Sequence, residues 1–263
     1  MDKPLQLTLV QANLIWEKPD ENRTHLEKLL QNYSGEGLIL FPEMFTSGFT
    51  MNPEKVAEAP EGPTWEWLKN LAVSKNSFVG GSYVILENEN YFNRFVIAGP
   101  TGEQFFYNKR HLFNLGGENL SYTPGKDKVI VSMYGWKVLL QICYDLRFPV
   151  FVRNKSEGEE KYDLALYVAN WPEARMAHWN VLLQARAIEN QAIVAGINRA
   201  GKDDYGLNYT GGTGIFLPNG EILKQSGNEE EIISAELNGK WLNEYREKLP
   251  FLKDGDDFQL LKT

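Results

Sequence analysis

A single cysteine, Cys143, stands among 263 residues, so no disulfide can form within the chain. A chain without staples suits a reducing cytoplasm. Histidine is nearly as scarce, with three copies, and neither an H-E-x-x-H pattern nor a Cys/His cluster occurs. No metal and no other cofactor is therefore expected. No segment approaches 18 consecutive apolar residues. The opening stretch MDKPLQLTLVQANLIW is broken by Gln6, Gln11 and Asn13, which reads against both a signal peptide and a membrane span. Runs of five or six like charges are missing too, and the net charge is −8. An acidic chain repels phosphate backbones, so neither nucleic acid nor a membrane is an expected partner. There is no G-x-S-x-G elbow, and GGTG at Gly211 to Gly214 is not a dinucleotide fingerprint.

What is present is a 43% hydrophobic chain with short β-type runs along its whole length. LQLTLVQ is followed by a helical stretch from about Asp20 to Tyr33, then by GLILFPE. A helix is expected from Thr64 to Lys75, beside Pro63. SFVGGSYVIL, YFNRFVIAG and GEQFFYNKR read as strands, the last two joined through the turn GPTGE. The second half repeats the order. KVLLQICYD is a strand, a helix is expected from Phe148 to about Asn154, and YDLALYVAN is a strand. HWNVLLQARAIENQ has helical periodicity, AIVAGINRAG is a strand, and GGTGIFLPNGEILKQSG is a hairpin turning at Pro218-Asn219-Gly220. No Pro-, Gly- or Ser-rich linker separates the halves. The pattern implies one α/β domain, a two-sheet sandwich with helices on its outer faces (α-β-β-α), because strands covered on both sides read as continuous Val/Ile/Leu runs.

Three ionisable residues end separate strand-like runs: Glu43 after LILFP, Lys109 after FFYN, and Cys143 after LLQI. Strand ends lie at the rim of a sheet, where sites are built. Singly, each has an ordinary alternative. A lone Cys there is more often a small buried hydrophobe, a Glu after Pro can cap a loop, and a Lys beside a hairpin is commonly a solvated charge. Together they make a chemically coherent set. A thiol with an ordinary pKa of about 8.5 needs a base to attack a carbonyl at neutral pH. Glu43 can be that base, provided partial burial makes its carboxylate basic enough. The oxyanion formed by attack can be stabilised by Lys109 and by the backbone N–H of Tyr144.

The segments LILFPEMF, YNKRHLF and ICYDLRFP resemble the three signature blocks of the nitrilase superfamily, the carbon–nitrogen hydrolases, in the family's order and spacing. YDLALYVANWP and QARAIENQAIVAGINRAG resemble the blocks that follow the nucleophile. The likeness runs from Leu5 to about Tyr245. It sets a domain at 1–245 and leaves 246–263 as a C-terminal arm that can pack on a partner subunit. It implies the nitrilase-type four-layer sandwich, with Glu43 as general base, Lys109 as oxyanion stabiliser and Cys143 as nucleophile. It also implies that Glu118, in LGGENLSY, holds Lys109; read alone, Glu118 is a loop carboxylate. The implied reaction is attack on an amide, loss of ammonia, and hydrolysis of a thioester by water. A homodimer is implied, formed through the helix after Cys143 and the helix of Trp179 to Glu189.

KRHLF, CYDLRFP and YVANWPEAR are most similar to the ω-amidase branch, which implies hydrolysis of short α-keto diacid monoamides such as 2-oxoglutaramate and 2-oxosuccinamate, and of succinamate. Arg147, Arg175 and Arg199 are candidate anchors for the substrate carboxylate, since guanidinium forks match carboxylates; each can equally serve a structural ion pair. Arg186 is expected to pair within its helix, with Glu189 as its i+3 neighbour. Phe113, Asn170 and Trp171 are candidate walls, with ordinary core packing as the alternative. His111, two residues past Lys109, can border the site; His25 and His178 read as structural or exposed. Alternatives for the whole chain are an amidase for N-carbamoyl amines or peptide-like amides, a non-catalytic interaction module of the same fold, and a thiol redox sensor.

Overall fold

A computed structural model describes residues 4–260; the last three residues of the expected arm, 261–263, lie outside the described residues, as do residues 1–3. Two six-stranded mixed sheets carry the fold. The first contains β1 (Leu5–Gln11), β2 (Leu38–Leu40), β3 (Phe78–Glu87), β4 (Asn90–Ala98) and β5 (Gln104–Asn108). The second contains β6 (Ile130–Met133), β7 (Trp136–Ile142), β8 (Leu164–Ala169) and β9 (Ile193–Asn198). A small hairpin, β10 (Ala200–Lys202) and β11 (Asn208–Thr210), stands apart. β12 (Gly214–Phe216) and β13 (Ile222–Gln225) extend the second sheet, and β14 (Glu231–Leu237) returns to the first. The orders are β14-β1-β2-β3-β4-β5 and β13-β12-β9-β8-β7-β6. Three central strands of each sheet run parallel, β1-β2-β3 and β7-β8-β9, with antiparallel strands on both sides. The repeated order expected from the two halves is thus realised as two similar sheets.

Strand side chains alternate with period two, and both faces are covered. In β1, Leu5, Leu7 and Leu9 enter the layer between the sheets, whereas Val10 joins the helix-covered layer. Leu38 and Leu40 face inward and Ile39 outward; Phe95 and Ile97 face inward, Val96 and Ala98 outward. The runs of β2 and of the second half of β4 therefore show no polar half, whereas β1 alternates Leu with Gln6 and Thr8 before Val10. The outer layer of the first sheet is closed by α1 (Pro19–Leu29) and by α3 (Pro63–Lys75), which follows the single turn α2 (Pro53–Val56). A short α4 (Glu118–Ser121) lies on the way to the second sheet, which is covered by α5 (Met176–Asn190) and α6 (Gly239–Lys248) through Trp179, Leu183, Ala187 and Leu242.

The helix boundaries have local causes. Pro19 and Pro63 open α1 and α3 at positions where a missing N–H costs nothing. Glu58 accepts from both the backbone N–H and the hydroxyl of Thr64, closing the free end of α3. α1 stops at Leu29, short of Tyr33, where the weak helix formers Asn32, Ser34 and Gly35 follow. The helix expected from Phe148 to Asn154 is absent. Cys143–Arg147 forms a 3-10 turn, after which the chain continues in turns. Pro149 holds Phe148 away from helical geometry (φ −115°, ψ 80°). α6 runs past residue 245 to Lys248, and beyond it Asp257 is paired to Lys155 and Phe258 lies beneath the same ammonium.

Candidate active site

Four polar residues cluster at the carboxyl ends of strands from both sheets. Glu43 lies just beyond β2, Lys109 follows β5, Cys143 follows β7, and Asn170 follows β8. β5, two antiparallel steps from β3, runs the same way as β2, and β7 and β8 run parallel in the second sheet, which delivers these ends to one crevice. Glu43, Lys109, Phe113, Cys143, Tyr144, Arg147, Asn170 and Trp171 line a single cavity of ≈ 230 Å³. That is below the range of roughly 300–1,000 Å³ usual for drug-sized ligands, and suits a small molecule.

At its floor, Lys109 Nζ donates to Glu43 Oε1 at 2.8 Å and to Glu118 Oε1 and Oε2 at 3.0 and 2.9 Å. All three side chains are sealed from solvent. A buried carboxylate survives only with its lone pairs occupied. Glu43 takes a second bond at Oε1 from Asn93 Nδ2 and one at Oε2 from the backbone N–H of Asn170. Glu118 sits behind Lys109, outside the cavity wall, and accepts from the backbone N–H of Phe113 at 2.6 Å. Burial pushes the Glu118 carboxyl above the usual carboxylate range, against the pull of Lys109. Burial also acts to lower Lys109, but the carboxylates of Glu118 and Glu43 outweigh it and hold the ammonium charged, well above the ordinary lysine value.

Cys143 begins the 3-10 turn with φ +43°, and Met44, directly after Glu43, has φ +44°. For residues with a side chain this left-handed region costs about 1–3 kcal/mol, and such strain gathers at sites of function. The turn aims the thiol into the cavity and leaves its first N–H groups, including that of Tyr144, without partners inside the turn. Burial pushes the thiol well above its ordinary value; Glu43 adds to the rise and Lys109 opposes it. The group is thus a neutral thiol at neutral pH, beside a carboxylate that can remove its proton and an ammonium that can stabilise an oxyanion. Such an arrangement is equipped for acyl transfer.

Two cations stand higher on the wall. Arg147 lies over the Trp171 ring at 4.7 Å, and Arg175 over the Phe113 ring at 5.4 Å. Neither guanidinium has a carboxylate within 4.0 Å among the described residues. Arg199, the third expected anchor, is elsewhere. Its Nη2 donates to Leu14 O, its Nε to Ala200 O, and it is fully buried over Tyr209. Its long side chain follows β9 into the layer under the β10–β11 hairpin, so it holds backbone in place and does not line the cavity. Arg186 pairs with Glu189 as the spacing implied and also donates to Leu146 O. His111 does not line the cavity; its ring turns to Asp145.

Other wall residues had no sequence reading. Phe49 and Met51 come from the loop after Glu43, and Asp203, Tyr205, Leu207 and Tyr209 from the β10–β11 hairpin. Both oxygens of Asp203 are engaged, by the N–H groups of Tyr205 and Leu207 and by the Tyr209 hydroxyl. Asn93 was also missed. The sign was there, since Asn93 and Arg94 interrupt the aromatic and aliphatic run of YFNRFVIAG, and a buried amide needs partners.

The carbon-nitrogen hydrolase family model matches residues 6–247. The chain is 45% identical over 258 residues to a protein of Yersinia enterocolitica named omega-amidase YafV, covering 98% of this chain and 99% of that one. It is 31% identical over 252 residues to the 2-oxoglutaramate amidase of Bacillus subtilis, covering 94% and 96%. A solved structure from Xanthomonas campestris, described as a CN-hydrolase superfamily protein with an arsenic adduct in the active site, superposes with a TM-score of 0.95 at 38% identity, over 98% of this chain and 99% of that chain.

Proposed function

Since this chain belongs to the carbon–nitrogen hydrolase family and is a hydrolase of carbon–nitrogen bonds other than peptide bonds, we propose that it is a cysteine-dependent ω-amidase for short dicarboxylic acid monoamides: 2-oxoglutaramate, 2-oxosuccinamate and succinamate. Cys143 attacks the amide carbon while its proton passes to Glu43. The tetrahedral oxyanion is held by Lys109 and the Tyr144 N–H. Glu43 returns the proton to the amide nitrogen, the C–N bond breaks, and ammonia leaves a thioester on the sulfur. Water then gives a proton to Glu43 and its oxygen to the acyl carbon. The S–C bond breaks, the acid departs, and Glu43 reprotonates the thiolate. Glu118 keeps Lys109 charged and aimed. Phe113, Asn170 and Trp171 bound the acyl chain.

The observation that carries the substrate class is the pair of guanidiniums without carboxylate partners, Arg147 and Arg175, on the wall above a neutralised Glu43–Lys109 floor. Positive charge of that kind selects a substrate with a remote carboxylate. With Arg147 and Arg175 on the wall, and the Asp203 oxygens accepting from the N–H groups of Tyr205 and Leu207 and from the Tyr209 hydroxyl, an α-ammonium would meet two cations, which favours keto-amides over glutamine or asparagine. The names carried by the relatives from Yersinia enterocolitica and Bacillus subtilis support the same class. The enzyme works in the cytoplasm, where its one thiol stays reduced, and as a homodimer through α5, which leaves Val181 and Ile188 exposed. Among the described residues no helix is long and apolar enough to cross a membrane.

The test is ammonia release from 2-oxoglutaramate and succinamate beside glutamine, asparagine, an N-carbamoyl amine and an aliphatic nitrile. Cleavage confined to the first pair supports the assignment. Faster release from glutamine or from a carbamoyl amine overturns it.

A further inference from the structure

Asp145 and His111 take no part in the cavity wall, yet they join the two strand ends that deliver Lys109 and Cys143. The spacing is the same on both sides. His111 is two residues after Lys109, and Asp145 is two residues after Cys143. His111 Nδ1 lies 2.7 Å from Asp145 Oδ1, and the backbone N–H of His111 donates to the same oxygen at 3.0 Å. Asp145 Oδ2 accepts from the Tyr107 hydroxyl, on β5 of the first sheet, at 2.8 Å, and from the Ile142 N–H, on β7 of the second sheet, at 3.0 Å. Asp145 is fully buried, so each of these donors replaces water that the carboxylate has lost.

We propose that Asp145, oriented by His111, is a positioning residue: a cross-sheet clamp that keeps the left-handed Cys143 turn in register with Lys109. The bond from Ile142 to Oδ2 closes the backbone on both sides of Cys143, which holds a conformation the chain would otherwise leave. The bonds to His111 and Tyr107 tie that closed turn to the strand end carrying the ammonium. The His111 ring lies flat on Phe148 at 3.8 Å, and Phe148 meets Tyr144 edge-on at 5.1 Å, so the clamp is also packed against the turn from outside. Because attack geometry falls off over fractions of an ångström, a slack clamp lowers turnover without touching the groups that bind substrate.

This inference rests on the amidase reading only in needing an amide that the enzyme cleaves. His111→Phe keeps a flat ring on Phe148 but removes the Nδ1 donor. His111→Asn restores a donor near the Nδ1 position. In the full-length protein, with ammonia release as the assay, His111→Phe is expected to lower kcat by about tenfold or more at a KM within about twofold, and His111→Asn to recover most of the loss. The unfolding midpoint is measured on the same samples. A kcat for His111→Phe close to that of the unaltered protein, an Asn variant no better than Phe, or a loss that follows the folded fraction would each overturn the proposal. Asp145→Asn, which sets an NH2 against existing donors, is expected to fall further; should it not fold, the His111 pair decides. If the protein cleaves a different amide from those named above, the same variants are read on that amide, so the substrate reading and the clamp fail separately.

Discussion

Lys109 Nζ sits 2.8 Å from Glu43 Oε1, and neither side chain is reached by solvent. The ammonium is shared with a second buried carboxylate, Glu118. Two acids around one cation would be costly in a dry site, and the backbone N–H groups of Asn170 and Phe113 with the Asn93 amide offset part of that cost. A cluster held this way stores polarity where a reacting amide needs it.

Removing the sulfur tests the covalent route. Cys143→Ala is expected to abolish ammonia release and leave the unfolding midpoint nearly unchanged, since the lost atom is small and Ala faces the same backbone strain at φ +43°. Ammonia release at the unaltered rate would reject the thioester.

Glu43→Gln separates base from scaffold. Turnover is expected to drop by roughly 10²–10⁴. The carboxylate also helps hold the thiol above its ordinary value, so its removal leaves Lys109 acting against burial and the weaker push of Glu118. The pH at which iodoacetamide alkylates Cys143 should therefore move down, although amide cleavage is lost. An alkylation profile moved upward would show that Glu43 does not act on the thiol.

Lys109→Met is expected to lower kcat by about 10²–10³ and to destabilise the fold by about 3–5 kcal/mol at neutral pH. The stability loss has a sign in pH. Glu118 is already raised by burial, and without the ammonium it rises further. A carboxyl whose folded pKa lies above its unfolded one contributes fully below the unfolded value and loses stability as pH climbs through the folded value. The variant's deficit, followed by chemical denaturation, should thus be larger at pH 8 than at pH 5. A deficit independent of pH would count against a charged Glu43–Lys109–Glu118 cluster.

Arg147→Ala and Arg175→Ala are each expected to raise KM for 2-oxoglutaramate by about tenfold, the scale of one charged hydrogen bond, with a smaller change in kcat. Butyramide, which has no carboxylate, should be cleaved as before. Equal losses on both substrates would assign the guanidiniums to structure.

Much of this was legible before any coordinates. Apolar runs such as LIL and FVIA, without polar alternation, marked strands covered on both faces, and the paired layers of β2 and β4 follow from that. Glu43, Lys109 and Cys143 ended such runs, so the cavity floor could be anticipated. The helix expected after Cys143 failed because Pro149 acts one residue back, on Phe148, and periodicity does not register it.

The chain's own order of residues thus settled most of the strands, the two-sheet build and which polar groups sit at strand ends, because these depend on burial pattern and on local stops; β6, β11 and β14, short or partly exposed, carried no such signal. Tertiary structure alone decided which way the long side chains turn. Arg147 and Arg175 face the cavity, while Arg199 threads beneath a hairpin; His111 leaves the site for Asp145; and a loop at 203–209 closes the wall. Those choices rest on partners that are distant along the chain, and the direction of a flexible cation is set by the space and hydrogen-bond acceptors that remain once the sheets have packed.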